Sequence, residues 1–133
     1  MVMEFCNMGN LAQLQKKKFN QIVPFPELKM ILNDVIDGLM EMHSKKIIHR
    51  DIKLENILII NEFNGNKRTK ICDLGFAREI SHQAETYCGT AYYMAPEIFE
   101  RKKYTESVDV WSLGVLLFIT LFGTYPFKGV NLL

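Results

Sequence analysis

His49-Arg50-Asp51-Ile52-Lys53-Leu54-Glu55-Asn56 is the stretch on which the rest of the chain turns. A carboxylate, an ammonium and a carboxamide follow one another closely there. Phosphoryl transfer asks for those group types: one to take or orient a hydroxyl proton, a cation on the moving phosphate, and hard oxygen ligands for Mg²⁺. Taken singly, each residue has a plainer reading. Asp51 alone is a turn residue, Asn56 caps a strand, Glu55 is a surface charge, and His49 beside Ile48 is a satisfied core histidine. Only a joint pattern argues for chemistry.

Downstream of this stretch, Asn56 to Ile60 and Thr69 to Cys72 are short strand-like runs with Asn64-Gly65 between them, a strong hairpin signal. Symmetric pairing about that dipeptide sets Ile60 opposite Thr69 and Asn56 opposite Asp73. A second oxygen-bearing side chain is thus expected beside Asn56. Arg78 to Met94 is polar and aperiodic, and is expected to be a long surface loop. Pro96 starts a short helix through Phe99. Thr105 or Ser107 is expected to cap an apolar helix that ends near Phe122, with Gly123 as its stop. Trp111 to Phe122 falls short of a membrane span and suits a buried helix. Asp109 reads most simply as an acid at that helix's N-terminus, where the macrodipole favours it.

Upstream, Met1 to Phe5 looks like the end of a buried strand. Asn7 to Asn10 turns the chain, and Asn10 caps a helix from Leu11 to about Lys18. Pro26 suits the first turn of a longer helix running to about Ser44, in which Leu28, Ile31, Leu32, Val35, Ile36, Leu39 and Met42 recur at helical spacing.

The chain has 133 residues, 48% of them hydrophobic and 23% charged, enough to bury a core and too apolar for a disordered tail. A net charge of +1 gives no bulk field for nucleic acid or a membrane surface. Lys16 to Lys18 is a solvated helix end. Cys6, Cys72 and Cys88 show no metal-ligand spacing, and so sparse a set fits reduced thiols in the cytoplasm or nucleus.

The eight-residue stretch resembles the catalytic loop of eukaryotic serine/threonine protein kinases. Asp73-Leu74-Gly75 resembles their metal-binding triplet, with Leu where Phe is common. Ala95-Pro96-Glu97 resembles the end of their activation segment, and Asp109-Val110-Trp111-Ser112-Leu113-Gly114 the start of their central helix. The motifs stand in the family's order and at its spacings. Lys53 after Asp51, with Gly89-Thr90 and Tyr93 to Glu97, is the serine/threonine form. Phe76-Ala77-Arg78 and the Cys88-Gly89-Thr90 run look closest to the ULK-like autophagy kinases, with the calcium/calmodulin-dependent group near.

The resemblance implies an α+β, protein-kinase-like fold in truncated form. Residues 1–133 would be a partial kinase domain, with 1–10 as the hinge region and 11–133 as the upper, mostly helical part of the large lobe with a small β-hairpin. The small lobe, with its Gly-rich loop and its Lys, and the final helices would be missing.

It also implies roles. Asp51 would be the base or hydroxyl-orienting residue, Lys53 a γ-phosphate contact, Asn56 and Asp73 the Mg²⁺ ligands, and Thr90 a partner of Asp51 and Lys53. Met3 would be the gatekeeper, Glu4 and Cys6 the adenine contacts, Asn10 would lie near the ribose and Leu58 under the base. Glu55 joins that binding set and offers an acid to basic substrates. Thr86 would be an activating phosphorylation site for an upstream kinase, its phosphate pairing with Arg50. Glu97 would pair with an Arg from the missing helices. ATP, Mg²⁺ and a protein substrate are the implied partners, without nucleic acid or a transmembrane segment. A non-catalytic, kinase-like binding module is the alternative reading.

Overall fold

The computed structural model describes residues 5–18, 22–79 and 90–127. In chain order the elements are α1 (Leu11–Lys18), α2 (Phe25–Ser44), β1 (Ile47–Ile48), β2 (Ile57–Asn61), β3 (Lys67–Ile71), β4 (Arg78–Glu79), α3 (Pro96–Phe99) and α4 (Ser107–Phe122). Short 3₁₀ turns lie at Leu54–Asn56, Leu74–Phe76 and Ala91–Tyr93.

Helix α1 starts from a reciprocal cap. The Gln13 N–H donates to Asn10 Oδ1 at 2.9 Å, and the Asn10 N–H returns to Gln13 Oε1 at 3.3 Å. In α2, Pro26 takes the first turn, and Leu28, Ile31, Val35 and Leu39 bury one face. These residues join Leu11, Ile52, Ile57, Ile59, Leu116 and Ile119 in the larger of two cores. The smaller core gathers Ile48, Met94, Ala95, Ile98, Tyr104 and Val108, and ties α3 to the foot of α4.

Helix α4 ends where Gly123 takes φ 68° and donates its N–H to Ile119 O at 2.8 Å. Its start differs from expectation. Glu106 occupies the capping position without a side-chain bond, and Thr105 Oγ1 accepts only a long 3.4 Å contact from the Ser107 N–H.

The hairpin forms, but its register is one residue off the symmetric pairing. Ile59 faces Thr69 and Ile60 faces Arg68. The turn is the reason. The Gly65 N–H bonds Glu62 O at 2.9 Å with Gly65 at φ 82°, and the Glu62 N–H bonds Asn66 O at 2.8 Å. The loop is therefore Phe63, Asn64 and Gly65, a type I turn closed by a left-handed glycine, rather than Asn64-Gly65 alone. Asn56 consequently meets Cys72, whose N–H donates to Asn56 O at 2.9 Å, and Asp73 lies one residue further on.

Two further expectations change. The loop expected from Arg78 opens with β4, which pairs antiparallel with β1 through Ile48 and Arg78. Phe5 is not the end of a buried strand, being 85% exposed and outside any strand. The segment after it does lie along β2: the Met8 N–H donates to Ile59 O, the Ile59 N–H to Gly9 O, and Asn7 brackets Asn61 with its side-chain amide.

Candidate active site

Asp51 follows β1 and is folded inward, with its side chain 1% exposed. Both of its oxygens are engaged. Oδ2 accepts from Lys53 Nζ at 2.6 Å and from Asn56 Nδ2 at 3.0 Å. Oδ1 accepts from the Thr90 N–H at 3.1 Å and the Thr90 hydroxyl at 2.9 Å. Lys53 Nζ also donates to Thr90 Oγ1 at 2.9 Å, which closes a triangle of Asp51, Lys53 and Thr90. Burial alone would raise the Asp51 pKa. The hydrogen bonds from Lys53 and Thr90, the Lys53 charge and the Asn56 amide outweigh it and hold the carboxyl below its ordinary range.

The backbone that carries Asp51 is fixed from below. His49 is fully buried: Nδ1 accepts the Asp51 N–H at 3.3 Å, so Nε2 is the protonated nitrogen that donates to Cys72 O at 3.0 Å. Asp109, also fully buried, accepts the His49 N–H at 2.9 Å, the Arg50 N–H at 2.8 Å and a contact from His43 Nε2 at 2.8 Å. Arg50 sits at φ 69°, a left-handed conformation that costs a non-glycine residue about 1–2 kcal/mol. Its side chain spreads over two further segments, Nε donating to Phe76 O at 2.6 Å and Nη1 to the Tyr104 hydroxyl at 3.1 Å.

The Asn56 NH₂ is spent on Asp51, donating to its backbone oxygen at 2.9 Å as well as to its carboxylate, so the Asn56 carbonyl oxygen is turned away from that pair. Asp73 is exposed at φ 64°, and its Oδ1 accepts the Gly75 N–H at 3.2 Å. A carboxylate and an amide oxygen at the open end of a hairpin fit Mg²⁺, which takes few protein ligands and leaves positions for phosphate and water. Among the described residues no cluster of three or more His, Cys, Asp or Glu could hold a metal by itself.

Leu58 is half-buried and bridges to Asn10, whose side-chain oxygen is committed to the α1 cap. Cys6 and Cys72 are half-buried thiols outside any disulfide, and burial together with the Asp73 charge pushes the Cys72 thiol up. Glu55 is exposed and Glu97 half-buried. Met3, Glu4 and Thr86 lie outside the described residues. Sequence reasoning missed the work of Asp109, His43 and Tyr104. The signal for Asp109 was an acid entering an otherwise apolar helix.

The protein kinase domain family matches residues 1–132. The chain belongs to the protein kinase family.

As a kinase chain it is 42% identical over 130 residues to the zebrafish (Danio rerio) inhibitor of nuclear factor kappa-B kinase subunit alpha, covering 96% of this chain and 17% of the relative. It is 42% identical over 131 residues to the Saccharomyces cerevisiae cAMP-dependent protein kinase type 3, covering 98% of this chain and 31% of the relative. It is 38% identical over 131 residues to the Arabidopsis thaliana serine/threonine-protein kinase ATG1c, covering 97% of this chain and 18% of the relative. Such even likeness across differently named kinases identifies the family more firmly than any branch. The chain spans less than a third of the length of these relatives. It is a partial kinase domain, built mostly of helices with a small hairpin. No described helix is long and apolar enough to cross a membrane.

Proposed function

We propose that this chain is the catalytic-loop portion of an enzyme that phosphorylates serine or threonine in proteins with ATP. The observation that carries the reading is the Asp51 carboxylate, kept ionised by Lys53, Thr90 and Asn56. An ionised carboxylate at that place accepts the proton of an incoming hydroxyl, or orients it. Lys53 lies between Asp51 and Thr90, where its ammonium meets both the carboxylate and the charge of a transferred phosphoryl group. Thr90 ties the substrate side of the site to Asp51.

Asn56, through its carbonyl oxygen, and Asp73 would hold Mg²⁺, which when bound draws charge from the phosphates. Cys6, Asn10 and Leu58, with Met3 and Glu4, would form the nucleotide's adenine and ribose side. Arg50 would receive the phosphate of Thr86, placed there by an upstream kinase. A cytoplasmic or nuclear setting suits thiols that form no disulfide, as at Cys6 and Cys72. A non-catalytic module has no need of an ionised Asp51 so fully bonded, which favours the enzyme reading over it.

The test is transfer of phosphate to a peptide mixture by the complete protein, with and without Asp51→Asn. Loss of turnover with nucleotide binding retained is the expected result. Equal transfer by both would refute the reading.

A further inference from the structure

We infer that Asp34, in the middle of α2, is a positioning residue for Asp73. The inference rests on the reading of Asp73 as a metal ligand. Ile59 spends its N–H on Gly9 and its carbonyl on Met8, so the Ile59–Thr69 pair is one whose backbone groups face away from each other. The Thr69 N–H therefore points to the outer edge of the sheet, where it needs a partner.

Asp34 supplies that partner. Its Oδ2 accepts the Thr69 N–H at 2.7 Å and the Thr69 hydroxyl at 3.0 Å, and its Oδ1 accepts Arg68 Nε at 3.0 Å. Helix and strand meet again one turn further along α2. A Cβ built on Gly38 would stand 3.1 Å from Ile71 Cδ1, so only a glycine lets the two approach this closely without displacing Ile71. One helical turn, about 5–6 Å, matches two strand residues, about 7 Å, and the two contacts therefore fit one straight docking edge.

A two-stranded hairpin is marginal by itself. Held at Thr69 and Ile71, β3 instead delivers Cys72 and Asp73 from a fixed height above α2. The same helix carries His43, which touches Asp109 under the Asp51 loop. One rigid helix thus sets the separation between the loop of Asp51 and the carboxylate of Asp73. Arg68 is an accessory: its side chain is 57% exposed, so its ion pair with Asp34 carries little of the effect.

The experiment measures Mn²⁺ binding by electron paramagnetic resonance, in the complete protein with a non-hydrolysable ATP analogue, beside thermal midpoints. Asp34→Ala is expected to weaken Mn²⁺ binding about tenfold, as loss of a ligand-orienting group does. Metal-free affinity for the analogue stays the same, and Arg68→Ala stays within about twofold of the unsubstituted protein. Asp34→Asn, equal in size, keeps one acceptor and falls between them; it carries the same test should Asp34→Ala not fold. Wild-type Mn²⁺ binding in both Asp34 variants, with binding lost in Asp73→Ala, overturns the inference alone. Binding unchanged in Asp73→Ala as well overturns the metal-ligand reading and the inference with it.

Discussion

The Arg50 amide, in the catalytic loop, donates a 2.8 Å hydrogen bond to the carboxylate of Asp109 at the foot of α4, 59 residues further along the chain. That bond joins a strained backbone to a rigid one. Arg50 holds a positive φ, and Asp109 accepts from both Arg50 and His49, so a fully buried charge has its partners and the strained loop is kept in place. Asp109→Ala leaves two amides without their acceptor. The expected loss is on the order of 3 kcal/mol, measured by urea unfolding of the complete protein. Asp109→Asn keeps one acceptor oxygen and costs less. A denaturation midpoint unmoved by Asp109→Ala would contradict the anchoring role.

Asp51, Asn56 and Asp73 divide by function in the proposed mechanism. Asp73→Ala and Asn56→Ala each raise the Mg²⁺ concentration needed for half-maximal turnover, whereas Asp51→Asn lowers kcat and leaves the KM for Mg·ATP near its original value. Steady-state titration of metal and nucleotide against each variant checks this. Unaltered metal dependence in Asp73→Ala is the result that would defeat it.

Acid should weaken the site in a defined order. The folded Asp51 carboxyl lies below its ordinary value of 3.8, so its bonds to Lys53 and Thr90 add stability above that pH. The contribution is lost as pH falls through the depressed folded value. The stability gap between the unsubstituted protein and Asp51→Asn is therefore expected to be constant from neutral pH to about pH 5 and to narrow below about pH 4. Denaturation curves collected across that range are the measurement, and a gap that widens in acid would reverse the sign of the argument.

Arg50 reaches the Tyr104 hydroxyl from the same loop, and Tyr104 is buried among Ile48, Met94, Ile98 and Val108. Tyr104→Phe removes only the oxygen and keeps the ring in its core. Stability should fall by about 1 kcal/mol. If Thr86 carries an activating phosphate that Arg50 receives, the activation gained on phosphorylation should shrink in this variant and vanish in Thr86→Ala. Treating each protein with an activating kinase and recording turnover before and after is the check. Full activation of Thr86→Ala, with Thr86 unmodified in cells, would end the proposal for that residue.

Tyr92, Phe99, Trp111 and Phe127 line an open groove of about 390 Å³, with Trp111 and Phe127 stacked at 5.5 Å. Val110 and Phe122 on α4 are each 60% exposed. So much apolar surface favours association when residues 1–133 are expressed alone. Light scattering is expected to show aggregates, reduced by a Val110→Lys/Phe127→Ser pair. A monodisperse chain with one sharp thermal transition would show that the groove is harmless.

Much of this protein was legible in its sequence because the informative signals are local. Apolar spacing marked α2, Asn10 marked the start of α1, Gly123 the end of α4, and the order of short motifs marked the family. The register of the hairpin was not legible. Asn64-Gly65 permits a two- or a three-residue loop, and the Glu62–Asn66 closure, which shifts every pair by one, exists only once both strands are in place. β1 and β4 are too short to show a period, and each gains strand form only from the other. Asp109 and Asp34 look like ordinary helix acids by their neighbours in the chain. Their partners at His49, Arg50 and Thr69 lie dozens of residues away, and those N–H groups meet the buried Asp109 and the half-buried Asp34 only in the folded chain. Sequence alone determined which chemical groups this chain carries and in what order. Tertiary structure alone decided which carboxylates hold them in place, because that choice depends on distance in space and exclusion of water.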